Sequence, residues 1–184
     1  SVALTAAGAV RGENAETLRV WLEGLDAGAV AEIHGEPLQQ PDLLAGVYRD
    51  RDHRPLWTRG GPLSGERAAL LAAIDASALH GLNPETYHAS SLATLRDPLA
   101  IELLATDAFL TLTRHRATGA VSPQDLDPDW HLIAPEVDAR ALLDRAVDGE
   151  AGVAALLDGL WPDSDEYRRL LDERARILAL GETS

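Results

Sequence analysis

The sequence predicts an all-α protein, a single irregular multi-helix domain built around one buried central helix. Two observations carry this prediction: aromatic residues make up only 4% of the chain, and alanine and leucine dominate its apolar residues. Such a composition favours helix, because β-branched and aromatic residues are the ones enriched in strands. Helix start and stop signals also recur along the 184 residues, with no repeat or linker between them. One domain of this length can bury a sizeable core.

The central helix is predicted to run from Pro98 to Arg116. Asp97 can cap its N-terminus with proline at the first helical position, and Gly119 supplies a plausible left-handed end. Apolar residues occur nearly all round this segment rather than along one stripe. A helix of that kind is expected to be buried on every side.

Three polar residues interrupt this apolar helix at steps of four and three. They are Asp107, Thr111 and Arg114, which would lie on one face of the helix. We interpret this polar stripe as an internal ion pair that fixes packing, because buried charges need partners. Asp107 and Arg114 would find these partners either in each other, through Thr111, or in groups of a neighbouring helix. A catalytic acid and arginine is the alternative interpretation.

Cap signals predict further helices on both sides of the central one, roughly seven to nine in total. Their expected N-terminal residues are Asn14, Pro41, Ser64, Asn83, Asp138 and Ser164. Gly81 is expected to end a helix in the left-handed conformation, and residues 29–38 are predicted to be an extended connector. The last helix is expected to bury one face. The residues of that face are Tyr167, Leu170, Leu171, Ala175 and Leu178.

Trp57 follows Pro55 and Leu56 between two polar turns. This short segment is predicted to anchor the indole in the core.

Composition excludes several kinds of function. The net charge of -14 argues against a nucleic-acid surface. The sequence has no cysteine, which excludes disulfides, thiolate metal sites and a thiol nucleophile. No two of the six histidines have the spacing of a helical zinc pair, and Pro128 breaks the calcium-loop pattern that QDLDPDW suggests. We therefore expect no cofactor, no metal and no catalytic residue in this chain.

Residues 1–12 are predicted to be a flexible or docking N-terminal arm, which could dock either as an extended strand or as an extra helix. Residues 2–10, VALTAAGAV, are small and apolar, like the end of a secretion signal. They are too short to cross a bilayer, and no other stretch approaches a transmembrane run. A periplasmic or cell-envelope location after signal-peptide removal is therefore expected.

Four segments together resemble a known family, in order and in spacing. They are LLAGVYRDRDHRPLWT (residues 43–58), ALHGLNPETYH (78–88), TDAFLTLTRHRATGAVSPQDLDPDWHL (106–132) and LWPDSDEYRRL (160–170). The chain resembles the helical scaffold domain that precedes the catalytic domain in large murein L,D-transpeptidases of Gram-negative bacteria. The matching positions look structural, each being a helix end, an aromatic anchor or a turn. They are Tyr48, Trp57, Gly81, Tyr87, Trp130, Pro162 and Tyr167.

The resemblance implies no catalytic residue in this chain. In that family the chemistry belongs to a separate β-rich domain that carries a histidine and a cysteine nucleophile. The present sequence has no cysteine, and nothing equivalent follows residue 178.

Three functional hypotheses follow from these observations. The first is a non-catalytic envelope scaffold that positions a transpeptidase catalytic domain, or another envelope protein, at peptidoglycan. The second is direct binding of peptidoglycan in a groove formed by Arg49, Arg51 and Arg54 with Trp57. The third is an enzyme of unrecognised type, which would need a cleft with strongly perturbed carboxylates.

Overall fold

The computed structural model describes residues 2–58, 60–120 and 137–181 of the chain. Eight α-helices dominate this part, together with two short 3₁₀ helices and a minimal hairpin, so the all-α prediction is confirmed. The α-helices are α1 (Val2–Asp26), α2 (Pro41–Arg49), α3 (Arg67–Ala76), α4 (Ala89–Thr94), α5 (Pro98–Thr118), α6 (Ala139–Val147), α7 (Val153–Asp158) and α8 (Asp165–Gly181). The 3₁₀ helices are Ser77–His80 and Pro84–Tyr87.

Helix α5 is the central helix that the sequence predicts. The Asp97 side chain accepts a hydrogen bond from the Leu99 backbone N–H at 3.1 Å, as expected of an N-cap. Every residue from 100 to 113 is buried. Helices α1 to α4, α6 and α7 and the hairpin all pack against α5. Gly119 ends the helix with φ 88° and ψ 158°, a positive φ but not the left-handed helical conformation expected.

The predicted connector forms a hairpin. Strands β1 (Glu32–Ile33) and β2 (Glu36–Pro37) pair antiparallel, with Ile33 opposite Glu36. His34 and Gly35 between them both have positive φ, as a tight two-residue hairpin turn requires. The hairpin places residues 38–40 beside the middle of α5, within reach of Asp107.

Three of the predicted helix starts are confirmed by a hydrogen bond of the capping side chain. Asn83 accepts from the Glu85 N–H, Asp138 from the Ala141 N–H and Ser164 from the Tyr167 N–H. Gly81 has φ 85° and ψ 6°, the left-handed conformation predicted for it.

Two predicted helix starts are wrong. Asn14 lies inside α1, because the helical backbone already begins at Val2 and alanine-rich sequence sustains it without a cap at that point. Residues 2–12 of the predicted N-terminal arm are thus the first part of α1, and residue 1 lies outside the described residues. Helix α3 begins at Arg67 rather than after Ser64, since consecutive turns, closed by the N–H groups of Ser64 and Glu66, carry the chain further.

Candidate functional site

Glu102 on α5 is a buried carboxylate that binds backbone N–H groups of a neighbouring loop. Its oxygens accept hydrogen bonds from the backbone N–H groups of Leu56, Trp57 and Thr58, the last at 3.0 Å. They also accept from the Thr58 hydroxyl at 2.9 Å and the Tyr48 hydroxyl at 3.0 Å. Burial raises the pKa of Glu102, and these donors act in the opposite direction. The carboxylate therefore fixes the loop to α5 and has five partners within the protein.

Thr106, one turn further along α5, continues this network to the indole. Trp57 Nε1 donates to the Thr106 hydroxyl at 2.9 Å, and that hydroxyl lies 2.6 Å from the Tyr48 hydroxyl. Trp57 is only 2% exposed, and its ring lies 6.2 Å from that of Phe109. The prediction that this indole is buried is confirmed. The hydroxyls form a chain of bonds that ends at Glu102, so Tyr48 and Trp57 have structural roles here.

Asp107 is a second buried carboxylate on α5. It binds backbone N–H groups of the segment that follows the hairpin. It accepts from the backbone N–H groups of Gln39 at 2.9 Å and Gln40 at 2.7 Å. It also lies 2.9 Å from His88 Nε2, while His88 Nδ1 lies 3.1 Å from a Glu36 oxygen. Burial disfavours the charged imidazole, but the hydrogen bonds to Asp107 and Glu36 outweigh it and raise the pKa of His88. Both ring nitrogens thus lie against carboxylate oxygens, an arrangement that favours the protonated imidazole.

The predicted pairing of Asp107 with Arg114 is wrong. Asp107 is fully buried and finds its partners on the hairpin and at His88, whereas Arg114 is exposed. Seven residues of helix separate the two α-carbons by about 10 Å, and α5 emerges from the core after residue 113. Thr111 between them is buried, and its hydroxyl has no hydrogen-bond partner among the described residues. The stripe is therefore no ion pair.

Arg116 is the arginine that α5 does bury, at 3% exposure. One terminal nitrogen lies 3.0 Å from Asp158, and the other donates to the Ala73 carbonyl at 2.6 Å. Its guanidinium also lies 4.6 Å from the ring centroid of Trp161, within the range of a cation–π contact. Arg116 thereby joins α5 to α3 and to the end of α7.

An aromatic cluster next to Arg116 attaches the last helix. His80 stacks on Trp161, with ring centroids 3.7 Å apart and planes 9° from parallel. His80 Nδ1 also lies 2.7 Å from the Tyr167 hydroxyl, in the first turn of α8. A second attachment is the Arg174 guanidinium, which donates to the Leu79 carbonyl at 3.0 Å. Burial and the nearby charges of Arg116 and Arg174 lower the pKa of His80. The carboxylate of Asp158 acts in the opposite direction and only partly offsets them.

Beyond these attachments, the last helix exposes most of its apolar residues, and the predicted inner face is largely wrong. Tyr167 and Leu171 are half-buried, but Leu170 is 68% exposed, Leu178 is 51% exposed and Ala175 is also exposed. Ile177 and Leu180 are likewise more than half exposed. The pattern correctly indicates an apolar face, but nothing in the described part of the chain covers it.

The three arginines proposed for ligand binding are each paired with a carboxylate of the chain itself. Arg49 lies 2.5 Å from Asp26, Arg51 pairs with Asp144, and Arg54 lies 3.5 Å from Asp52. A cavity of about 340 Å³ does lie in this region. Its lining residues are Arg51, Asp52, Arg54, Pro55, Leu56 and Pro62. The buried Trp57 offers it no ring face, so the groove envisaged from the sequence does not form as predicted.

Two adjoining cavities of about 350 and 380 Å³ lie where α1, the loop at residues 55–58 and the start of α5 meet. Asn14, Thr58 and Pro98 line both of them. Glu102 borders the first cavity, but its oxygens already have the five partners described above. Asp97 lines the first cavity and Arg67 the second. Asp97 caps α5 and pairs with His34, and Arg67 donates to the Leu92 carbonyl, so both charged groups have partners in the chain.

The remaining predicted residues have structural surroundings or fall outside the described residues. The Tyr87 hydroxyl lies 2.9 Å from His115 Nδ1 at the end of α5, and Pro162 lies in the turn between α7 and α8. Trp130 lies outside the described residues. Within the described ranges no group of histidines and carboxylates is placed to hold a metal ion. Among the helices described, none combines the length and apolar character needed to cross a bilayer.

A family model described as "Scaffold domain" matches residues 42–173, well over half of the chain. The chain belongs to the Scaffold domain family. Neither the comparison with curated proteins nor that with solved structures gave a match.

The scaffold domain match begins at the first turn of α2 and ends in the middle of α8. It contains Glu102 and Asp107 and the loop that Glu102 binds, and it contains the aromatic cluster that attaches α8. The family assignment therefore covers Glu102 with its loop and Asp107 with His88, while Glu36, Gln39 and Gln40 lie just before the matched residues. It indicates a scaffold role in protein interaction.

Sequence reasoning missed Glu102, His88 and Arg116 in this scaffold domain. A signal for two of them was present, because any charged residue in a helix predicted to be buried all round must itself be buried or lie at its end. Glu102 stands between Ile101 and Leu103 in just such a helix. His88 had no comparable signal, since its contact with Asp107 depends on how the turn after residue 87 folds back.

Proposed function

We propose that this scaffold domain is a non-catalytic component of the bacterial cell envelope that holds another protein during peptidoglycan L,D-transpeptidation. The protein held is a transpeptidase catalytic domain or another envelope protein, and the location is the periplasm. The resemblance of four segments to the scaffold region of murein L,D-transpeptidases supports this choice of partner. The family match supports the scaffold role itself.

The observation that carries the proposal is the exposed apolar face of α8. Contiguous apolar side chains that remain exposed on a folded domain mark surfaces for contact with another molecule, protein–protein interfaces among them. The buried carboxylates of α5, Glu102 and Asp107, by contrast, are occupied in holding neighbouring loops. The domain thus offers a surface for a partner.

The absence of cysteine from the sequence supports the non-catalytic part of the proposal. A transpeptidase of the resembled family needs a thiolate nucleophile, which this chain cannot supply. In this proposal the chemistry belongs to the partner.

The test is a two-part experiment with the purified chain. First, the chain alone is incubated with muropeptides and the products are separated by chromatography. We expect no new cross-linked or hydrolysed products, and their appearance with this chain alone would overturn the proposal.

In the second part, binding of a purified L,D-transpeptidase catalytic domain is measured by calorimetry. We expect saturable binding with one site per chain. A catalytic domain that neither binds nor changes its cross-linking activity in the presence of the chain would contradict the proposed partnership.

A further inference from the structure

Two arginines, Arg67 and Arg96, meet at a single carbonyl oxygen. Arg67 Nη2 lies 3.4 Å from the Leu95 carbonyl oxygen, and Arg96 Nη1 donates to the same atom at 3.2 Å. Neither guanidinium pairs with a carboxylate within the described ranges, although the sequence has 30 acidic side chains against 16 basic ones. Asp97, the next residue after Arg96, caps α5 and pairs with His34 instead. We call Arg67 and Arg96 the arginine pair.

Capping of a helix explains only part of this arrangement. Leu95 directly follows α4, and Arg67 also donates to the carbonyl of Leu92 in the last turn of that helix. Arginine is favourable at such an end because the helix dipole leaves it negative, by roughly half an elementary charge. The arginine pair brings two full positive charges to this one end. Part of that charge therefore has no counterpart in the part of the chain that the structure describes.

Arg67 has the less compensated of the two charges, because its side chain is half-buried while Arg96 is exposed. Burial and the neighbouring charge of Arg96 lower the pKa of Arg67, but a guanidinium keeps its proton at neutral pH. The carbonyl groups occupy only its Nη2. Its Nε is buried without a hydrogen-bond partner, and Nη1 has no partner among the described residues either. Arg67 therefore retains unused donors.

Arg67 lines the second of the two cavities described above, whose volume is about 380 Å³. Asn14 and Ser64 line the same cavity, and neither side chain has a hydrogen bond to another described residue. Pro98 and Ile101 provide an apolar part of the wall. The cavity thus combines a positive group, two polar side chains with free positions and an apolar surface.

We propose that this cavity binds a small carboxylate ligand, with the carboxylate against Arg67 and a short apolar group against Pro98 and Ile101. A planar guanidinium matches the two oxygens of a carboxylate, and Arg96 adds a second positive charge close by. The apolar wall favours a carboxylate joined to hydrocarbon over inorganic phosphate, which has no apolar part.

The negative net charge does not prevent this binding. At physiological ionic strength salt screens exposed charges beyond about 8 Å, so the groups beside the cavity decide the affinity for a small anion. The inference goes beyond the proposed function, because it assigns a small-molecule site and leaves the protein partner open.

The experiment titrates the full, isotope-labelled chain by NMR at physiological salt with hexanoate, hexanol and inorganic phosphate. We expect hexanoate to shift the signals of the cavity residues saturably, including the Nε–H signal of Arg67, with a Kd of about 1 mM or below. Hexanol lacks the charge and phosphate lacks the apolar group. Both should bind at least about tenfold more weakly.

Two further probes distinguish the source of the carboxylate, which is either a free short-chain acid or the C-terminal end of a peptide. N-acetyl-alanyl-leucine has a C-terminal carboxylate beside an apolar side chain, and its C-terminal amide lacks only that charge. Binding of the peptide acid at least as tight as that of hexanoate, without binding of the amide, assigns the site to a peptide end. Tighter binding of hexanoate assigns it to a free acid. Both results support a carboxylate site.

Matched substitutions locate the binding. Arg96→Gln removes one charge of the arginine pair and should weaken hexanoate binding by about threefold or more. Arg114→Gln is the matched control, since Arg114 is exposed, has no ion pair within the described ranges and lies at the other end of α5. This control should leave the Kd within about twofold of the parent.

Two variants test the cavity itself. Ser64→Phe narrows it from an exposed position and should abolish hexanoate binding with an unchanged circular dichroism melt. Arg67→Gln should abolish binding as well, but it also removes the bond to the Leu92 carbonyl. If that loss unfolds the protein, Arg96→Gln and Ser64→Phe still decide the question.

Three results would overturn the inference. They are equal binding of hexanoate with hexanol or with phosphate, hexanoate binding that survives Ser64→Phe, and shifts that do not saturate or that lie outside the cavity. An equal effect of Arg96→Gln and Arg114→Gln would likewise exclude the arginine pair. None of these results removes the proposed function, because binding of a transpeptidase catalytic domain is measured separately.

Discussion

Trp57 contacts three residues of α5, through its backbone N–H, its indole N–H and its ring. Its backbone N–H binds Glu102, its indole N–H binds Thr106, and its ring lies close to Phe109. Trp57→Ala should therefore lower the free energy of unfolding by about 3–5 kcal/mol, the range for emptying a large buried aromatic site. The midpoint of urea unfolding measures the change.

Trp57→Phe is the matched control for this prediction, because it keeps an aromatic ring and loses the hydrogen bond to Thr106. We expect it to cost clearly less than the alanine variant. A urea midpoint unchanged in Trp57→Ala would mean that the indole is exposed, and would return Trp57 to the candidate ligand-binding residues.

His88 makes stability depend on pH with a definite sign. Its pKa is raised above the ordinary value of 6.5 by Asp107 and Glu36. Its stabilising contribution is fully present below that ordinary value and is lost as the pH rises through the pKa in the folded state. The difference in unfolding free energy between the parent and His88→Asn should therefore be largest at mildly acidic pH and shrink toward alkaline pH.

Asparagine is the chosen replacement because His88 has a φ of 58°, a region that asparagine tolerates better than most residues. The variant thus removes the charge with little change of backbone conformation. Urea titrations at a series of pH values measure the difference. A difference that stays constant from mildly acidic to alkaline pH would show that folding does not shift the pKa of His88, and a difference that grows toward alkaline pH would show that folding lowers it.

Among the elements, the central helix shows how far the sequence predicts the fold. Its apolar residues on all sides, its aspartate cap and its glycine end all lie within the segment itself, so local rules suffice. The partners of Asp107 lie at Gln39, Gln40 and His88, far away in sequence. The seven-residue spacing correctly places Asp107 and Arg114 on one face of the helix. It does not indicate that burial of this face ends after residue 113.

The two charges of the predicted stripe should consequently behave differently. Asp107→Ala should cost about 3–5 kcal/mol of unfolding free energy, because it leaves buried N–H groups and an imidazolium without their partner. Arg114→Ala should change stability by only about 0.5 kcal/mol in either direction, as for other exposed positions. Thermal or urea unfolding of both single variants measures these effects.

The double variant Asp107→Ala with Arg114→Ala separates the two accounts of the stripe. If the residues do not interact, its cost should equal the sum of the two single costs. A double variant whose cost is clearly smaller than this sum would show that Asp107 and Arg114 do interact, contrary to the structure.

The last helix shows the opposite limit of sequence reasoning. Leucines at helical spacing predict an apolar face, and α8 has one. The prediction that the protein itself covers this face is wrong. Periodicity shows which residues share a helix face, but it does not show what packs against that face. Leu170 and Leu178 remain exposed for that reason, while Tyr167, with a specific partner in His80, does contact the body.

At the scale of the whole molecule, the net charge predicts whether the chain binds peptidoglycan directly. A net charge of -14 should repel the carboxylates of murein stem peptides. The arginines that could counter this are paired within the chain, Arg49 with Asp26 and Arg51 with Asp144. In sedimentation with purified sacculi at low salt, the chain should therefore remain in the supernatant.

Bovine serum albumin, another acidic protein, is a suitable control for trapping in the pellet. Sedimentation of the chain well above this control, and its loss when Arg51 and Arg54 are replaced by alanine, would favour direct peptidoglycan binding instead. The scaffold domain would then bind peptidoglycan without a partner.

The two buried carboxylates of α5 bind main-chain groups, and this affects which sequences the fold tolerates. Glu102 and Asp107 bind N–H groups at residues 56–58 and at Gln39 and Gln40, so these ties do not depend on which side chains stand there. Every amino acid except proline supplies the same donor. The hydrogen bonds therefore leave glutamine at positions 39 and 40 free to vary, while a proline at either would remove a donor from Asp107. The segment that contains α2 can change its surface chemistry while both its ends stay fixed to the central helix.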